Sequence, residues 1–255
     1  MFPISDTAPR ASPATIVLTL IALNSLVFLW MWSLLPRALQ YVTVEYALIP
    51  LRYTDPLGAR EVGLDPDDWW PLLTNTFMHG GWLHLILNMW TLWIFGPAME
   101  ARFGRFGFTA LYLAGGVVAS ATHLLANTDS PVPALGASGA IAAVIAAYAV
   151  IYPHERVLLI IPLGFLFIPL SAPAVLFAIV WFGMQVLQGT HDLFSPSLAG
   201  GVAWWAHIGG FAFGALAALI VRGERQGRGM AATTQWAARD FERSPGRFPG
   251  PWSRE

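Results

Sequence analysis

Apolar stretches of fifteen residues or more, each almost free of charge, alternate along this chain with short polar or proline-rich breaks. Runs of that length approach the roughly 20 residues a helix needs to cross a bilayer. Five read directly as spans, at about Ala14–Leu35, Trp82–Met99, Phe106–Asn127, Ser138–Tyr152 and Trp204–Val221. The uncharged stretch Val157–Thr190 is less regular, because Pro162, Gly164, Pro169 and Pro173 interrupt its first half. Proline breaks a helix interior, so one further span is assigned to Pro173–Gln188, and Val157–Ser171 is read as a hairpin or a surface-dipping loop. The expected fold is an all-α integral membrane bundle of six spans, with seven as the alternative. Residues 1–13 form an N-terminal segment, 14–222 the helical domain with a long first loop at 36–81, and 223–255 a polar, Gly- and Arg-rich tail expected to be disordered.

Composition supports the membrane reading: 56% of residues are hydrophobic and 11% charged, against about 25% charged in a soluble domain. Every basic residue is Arg, the formal net charge is −1, and no basic block interrupts the apolar part, which argues against a nucleic-acid partner. Without cysteine, disulfides and thiolate metal sites are excluded. The first apolar run exceeds the core of a signal peptide and is read as a retained helix, with a signal peptide as the lesser reading. Arginine sets the orientation. With the N-terminus inside, Arg10, Arg102, Arg105, Arg156 and the arginines from Arg222 to Arg254 fall on the cytoplasmic side, and only Arg37, Arg52 and Arg60 outside, in a loop that also holds Glu45, Asp55, Glu61, Asp65, Asp67 and Asp68. The same loop carries Trp69 and Trp70, suited to the headgroup level. A bacterial plasma membrane, with both termini cytoplasmic, is the expected location.

Depth brings the polar residues together. The second, fourth and sixth spans run in the same direction, so positions can be counted back from their cytoplasmic ends. Ser138 lies fifteen residues before Pro153, His207 fifteen before Arg222, Asn88 fourteen before Arg102, and His84 one turn further out. Fifteen residues rise about 22 Å through a core of about 30 Å. Ser138, His207 and Asn88 are therefore expected on one layer near the outer boundary. Pro131, Pro133 and Gly136 stop the fourth helix from extending outward, so the chain must descend to Ser138 as a loop, which a membrane tolerates only against protein or a wet cavity.

A serine among glycines and alanines is ordinarily a packing residue. A histidine at its depth changes the reading, since His207 can act as general base for a Ser138 nucleophile. His84 and Asn88 share a helix face and, with the Ser138 amide at a helix N-terminus, can serve as donors to an oxyanion; the alternative is an interhelical hydrogen-bond pair. A metal site from His79, His84 and His207 is the third reading, unsupported by any His-Glu-x-x-His pattern. Gly210 and Gly214 on the sixth span, and Gly139 on the fourth, allow close backbone approach. Glu100 and Arg102 read as a stabilising polar network, and His123, His154 and His191 as surface or packing residues.

Taken together, Phe77-Met78-His79, His84-x-x-x-Asn88, Glu100-Ala101-Arg102, Gly136-Ala137-Ser138-Gly139 and Ala206-His207-Ile208-Gly209-Gly210 with Gly214 resemble the rhomboid family of intramembrane serine proteases. The resemblance implies a six-helix rhomboid-like core, Ser138 as nucleophile, His207 as base, and His84, Asn88 and the Ser138 amide as the oxyanion site. It also implies that the 36–81 loop is membrane-associated and steadied by His79, and that the fifth helix with the loop Gly189–Ala203 is the substrate gate. One position departs: where family members often carry an aromatic one turn after the serine, packed on the histidine, this chain has Ala142. The expected activity is cleavage of transmembrane or membrane-proximal segments of other proteins, without a cofactor, with membrane lipids as surroundings and the oligomeric state left open. The rival is a non-catalytic rhomboid-like protein that binds membrane helices; a transporter is a weaker third.

Overall fold

The computed structural model describes residues 2–11, 13–164, 166–194 and 203–222. Two compact units are distinguished, Met1–Ala218 and Leu219–Glu255. The expected tail 223–255 lies outside the described residues.

In chain order the elements are β1 (Phe2–Asp6), α1 (Thr15–Trp32), α2 (Pro36–Tyr46), α3 (Leu51–Thr54), α4 (Pro56–Glu61), α5 (Pro71–Thr74), α6 (Trp82–Ala126), α7 (Ser138–Ile151), β2 (Arg156–Leu163), β3 (Leu166–Pro173) and α8 (Ala174–Phe194), followed by α9 (Trp204–Arg222). By length and apolar composition α1, α6, α8 and α9 can each cross a membrane, and α7 is a shorter apolar helix. The 45-residue α6 is two helical pieces meeting at Gly104, whose φ of 72° and ψ of 171° are not helical. A glycine takes that left-handed conformation without the steric penalty of a side chain. The stretches Trp82–Met99 and Phe106–Asn127 expected as the second and third spans fall on either side of this kink.

Helix α7 forms the core. Every residue from Gly139 to Ala149 is buried, as a helix apolar on all sides should be. Around it, α1 buries one stripe, Val17, Leu20, Asn24, Phe28 and Met31, and leaves Leu18, Leu26 and Trp30 exposed. Since both faces are apolar, packing is marked by a polar residue: the Asn24 amide donates to Leu20 O at 2.8 Å and lies 3.4 Å from the Tyr112 hydroxyl.

The all-α expectation needs correction. Strands β1, β2 and β3 form a three-stranded antiparallel sheet in that order. Of the two forms expected for Val157–Ser171, the hairpin is the one found, with Arg156 opposite Pro173 and Leu163 opposite Leu166. Its turn uses Gly164 at φ 62°, and Pro169 and Pro173 sit in β3, an edge strand where proline is tolerated. The physical reason for the miss is range. Strand β1 has five residues and pairs Asp6 with Val157, so no local periodicity announces it. The 36–81 loop holds four short helices, α2 to α5. The fifth helix runs on to Phe194, beyond the expected end at Gln188.

Glu100 ties the start of α1 to α6. It is 4% exposed, and its carboxylate accepts from Ile16 N and Val17 N at 3.0–3.1 Å. A carboxylate on the free N–H groups of a helix start satisfies them and complements the helix dipole. Arg102, two residues on, is half-buried.

Candidate active site

The loop that leads to Ser138 is held by backbone bonds to the long first loop. Leu48 and Ala134 exchange bonds of 3.0 and 2.8 Å, and Gly136 N donates to Asn75 O at 2.9 Å. The backbone groups of the descending chain are thus met by protein, as a membrane interior requires. Gly136 has φ of 133°, and a Cβ there would stand 2.7 Å from His84 Cε1 and Nε2. Only a glycine allows the ring to lie on the loop at that point.

Ser138 opens α7, and its Oγ lies 2.7 Å from His207 Nε2. Two close contacts explain how α7 and α9 come so near. A Cβ on Gly210 would stand 2.0 Å from Gly139 O, and one on Gly214 2.0 Å from Ala143 O. On its other side, Gly139 faces Ala119 of α6, where a Cβ would stand 2.5 Å from the Ala119 Cβ. Small residues let the backbones touch.

The position of Ala142 raises the question of what steadies His207, which is 6% exposed. Its Nδ1 lies 2.7 Å from Oε1 of Gln185 on α8. Trp181 of α8 packs tilted at 5.8 Å between ring centroids, and Trp204 of α9 edge-on at 6.1 Å. Aromatic support therefore comes from the fifth and sixth helices instead of the fourth. Sequence reading passed over Gln185, although an amide inside the apolar run Ala174–Gln188 was a usable signal.

His84 meets the ring of His79 at 5.1 Å, edge to face. His79 is 2% exposed, and burial, followed by the charge of neighbouring His84, holds it well below the ordinary histidine value, at about 3. Asn88, one turn from His84, is buried, and its Nδ2 has no hydrogen-bond partner among the described residues. Beside Ser138 lies a cavity of about 20 Å³ whose lining includes Asn75, Ser120, His123 and Gly136. That volume is about one water molecule. His123, expected on the surface or in packing, belongs to this cavity wall. Asn75 Nδ2 donates to Ser120 Oγ at 2.8 Å, two further residues that sequence reading did not single out. Among the described residues no group of three His, Asp or Glu side chains is placed to hold a metal ion. Of the expected gate, residues 195–202 lie outside the described residues.

A serine and a histidine in hydrogen-bond contact within a bundle of apolar helices place the chain among membrane proteins with a built polar site. The Rhomboid domain family model matches residues 66–224, and the chain belongs to the rhomboid family. It is 31% identical over 152 residues to presenilin-associated rhomboid-like protein A, mitochondrial, of Danio rerio, covering 56% of this chain and 35% of that protein. The mouse presenilin-associated rhomboid-like protein, mitochondrial, is 30% identical over 204 residues, 76% of this chain and 45% of that protein. Rhomboid protease GluP of Bacillus subtilis is 41% identical over 85 residues, 33% of this chain and 16% of that protein. The chain thus spans less than half the length of these curated relatives. They come from mitochondria and from a bacterium, so they do not single out the bacterial plasma membrane expected from the sequence.

Proposed function

We propose that this protein is an intramembrane serine endopeptidase that cleaves transmembrane or membrane-proximal segments of other membrane proteins. The observation that carries the reading is the 2.7 Å contact between Ser138 Oγ and His207 Nε2, the distance of a base poised to take a hydroxyl proton. As Oγ attacks a peptide carbonyl, the proton passes to Nε2 and the carbonyl oxygen becomes an oxyanion. The Ser138 amide at the start of α7, the Asn88 amide group and His84 are the donors assigned to it. The C–N bond then breaks, Nε2 returns the proton to the leaving amine, and an acyl-serine remains. Water attacks that ester with His207 again as base, releasing the acid and restoring the serine.

Taking the two halves of α6 as separate spans and α7 as a short one gives the six-helix bundle of the proposed protease domain, residues 14–222. Segment 1–13 and the tail 223–255 then flank it on the arginine-rich, cytoplasmic side, with the 36–81 loop at the opposite surface. His79, Glu100, Arg102, Gly136, Gly139, Gly210 and Gly214 support the site without reacting. Membrane lipids surround the bundle, and the substrates are proteins.

The test is cleavage of a model transmembrane substrate by purified protein in liposomes. Ser138→Ala and His207→Ala should each lower turnover by at least about 10³-fold without changing the unfolding temperature. Undiminished cleavage by either variant would sink the mechanism. A fluorophosphonate probe should label the wild type and not Ser138→Ala; absence of both labelling and cleavage in the wild type would favour the binding protein.

A further inference from the structure

The second ring nitrogen of His207 has a partner that the proposed reaction does not use. Among the described residues the hydrogen-bond partners of the ring are Ser138 at Nε2 and Gln185 at Nδ1, each at 2.7 Å. Gln185 is 6% exposed and stands on α8, a different helix from either member of the pair. We propose that Gln185 is the positioning residue of the dyad: its Oε1 accepts the Nδ1 proton of His207 and so keeps Nε2 bare toward Ser138.

The chemistry follows from the two ends of the amide. Gln185 Nε2 lies 3.4 Å from Trp181 O, one turn back on α8. Turning the amide over would set its oxygen against that carbonyl and its NH₂ against the ring. Hydrogen bonding therefore selects Oε1 for the ring, and an acceptor there requires hydrogen on Nδ1. A neutral imidazole carries one N–H, so Nε2 holds the lone pair. That is the tautomer a general base needs, since Nε2 must receive the Ser138 proton. When Nε2 is protonated during attack, the Nδ1–H bond to Gln185 persists and orients the cation. Unlike a carboxylate in this place, the amide adds no charge. Among the described residues no acid is hydrogen-bonded to the His207 ring, so none competes for the role. Trp181 and Trp204 confine the ring plane, but aromatic contact cannot choose between tautomers. The amide can.

This inference rests on the protease reading for its kinetic consequences, and it has a readout that does not. In protein labelled with ¹⁵N-histidine in detergent micelles, the His207 signal, assigned by its loss in His207→Asn, should report the Nδ1–H tautomer. Gln185→Met should shift it toward the Nε2–H form. A wild-type signal from the Nε2–H tautomer would overturn the assignment, whether or not the protein cleaves anything. In the liposome assay, Gln185→Met should lower kcat by about 10²-fold with KM within about twofold. Gln185→Glu, an acceptor of the same shape, should restore most of the turnover and move the low-pH limb of kcat upward by about one pH unit. A purely structural Gln185 predicts instead that a folded Gln185→Met keeps the wild-type kcat and pH profile, and that outcome refutes the proposal. Should Gln185→Met not fold, the Gln185→Glu pH profile decides: an unmoved limb counts against it. Failure of the protease reading is recognised separately, by a wild type that neither cleaves nor reacts with fluorophosphonate.

Discussion

The two ends of α7 are built on opposite terms. At the Ser138 end, polar groups are not all used up: His84 lies against Gly136, Asn88 one turn along α6 keeps a buried Nδ2 unpartnered among the described residues, and a water-sized cavity borders the serine. Toward the other end, polar groups are used up in pairs. The Tyr148 hydroxyl donates to Asp6 at 2.8 Å, Asp6 is paired with Arg10, Thr7 donates to Glu155, and Arg156 Nε reaches Ser171 Oγ at 3.1 Å. A buried donor without an acceptor is destabilising and needs an explanation, whereas a closed set of pairs explains itself as anchorage. The difference teaches that one helix has two unlike ends: the first leaves hydrogen-bonding capacity open, and the second spends it on holding the bundle and sheet together.

The comparison can be broken at the open end first. Asn88→Ala removes a donor that no described residue uses, so turnover should fall by about 10²-fold while the unfolding temperature in detergent stays within about a degree or rises. A marked loss of stability with unchanged turnover would assign Asn88 to packing. At the closed end, Tyr148→Phe deletes a bond to a buried carboxylate. It should destabilise by about 2 kcal/mol, read from thermal unfolding, and leave kcat per folded molecule unaltered. A fall in kcat there would mean the two ends are not independent. The smallest effect sharpens the picture through pH. His79 is held neutral in the folded protein down to about 3, whereas an unfolded histidine takes up a proton near 6.5. More protons bind to the unfolded state between those values, so stability contributed by His79 is present above about 6.5 and is lost as pH falls toward 3. The decline in unfolding temperature over that window should be shallower in His79→Gln than in the wild type; identical slopes would refute it.

How much of this was legible varies with the range of the interaction. The apolar helices are visible because hydropathy is local, and their starts at Trp82, Ser138 and Trp204 agree with the sequence reading. Which faces meet is not visible in the same way. Helix α1 is apolar on its lipid-facing and packed sides alike, so only outliers such as Asn24 mark the contact. The Ser138–His207 pair was legible for that reason: polar residues are conspicuous in such runs, and counting turns compares their depths. Gln185 is equally conspicuous as an amide inside an apolar run, but a neutral amide does not by itself announce which helix it will meet. The sheet was illegible because β1 depends on a partner some 150 residues away, and neither strand of a pair carries the register alone.

The Glu100 carboxylate carries a consequence for biosynthesis. Helix α1 is made first, but the group that satisfies the N–H donors of its opening turn arrives 84 residues later. Until α6 is in place, those donors have only water or headgroups to bond. The start of α1 is therefore committed to a wet level of the bilayer during insertion and finishes its descent when α6 docks. Early assembly of this protein should proceed by pairing the first helix with the second, and a ribosome-bound chain ending before Glu100 should leave the first turn of α1 open to aqueous labelling that a longer chain protects.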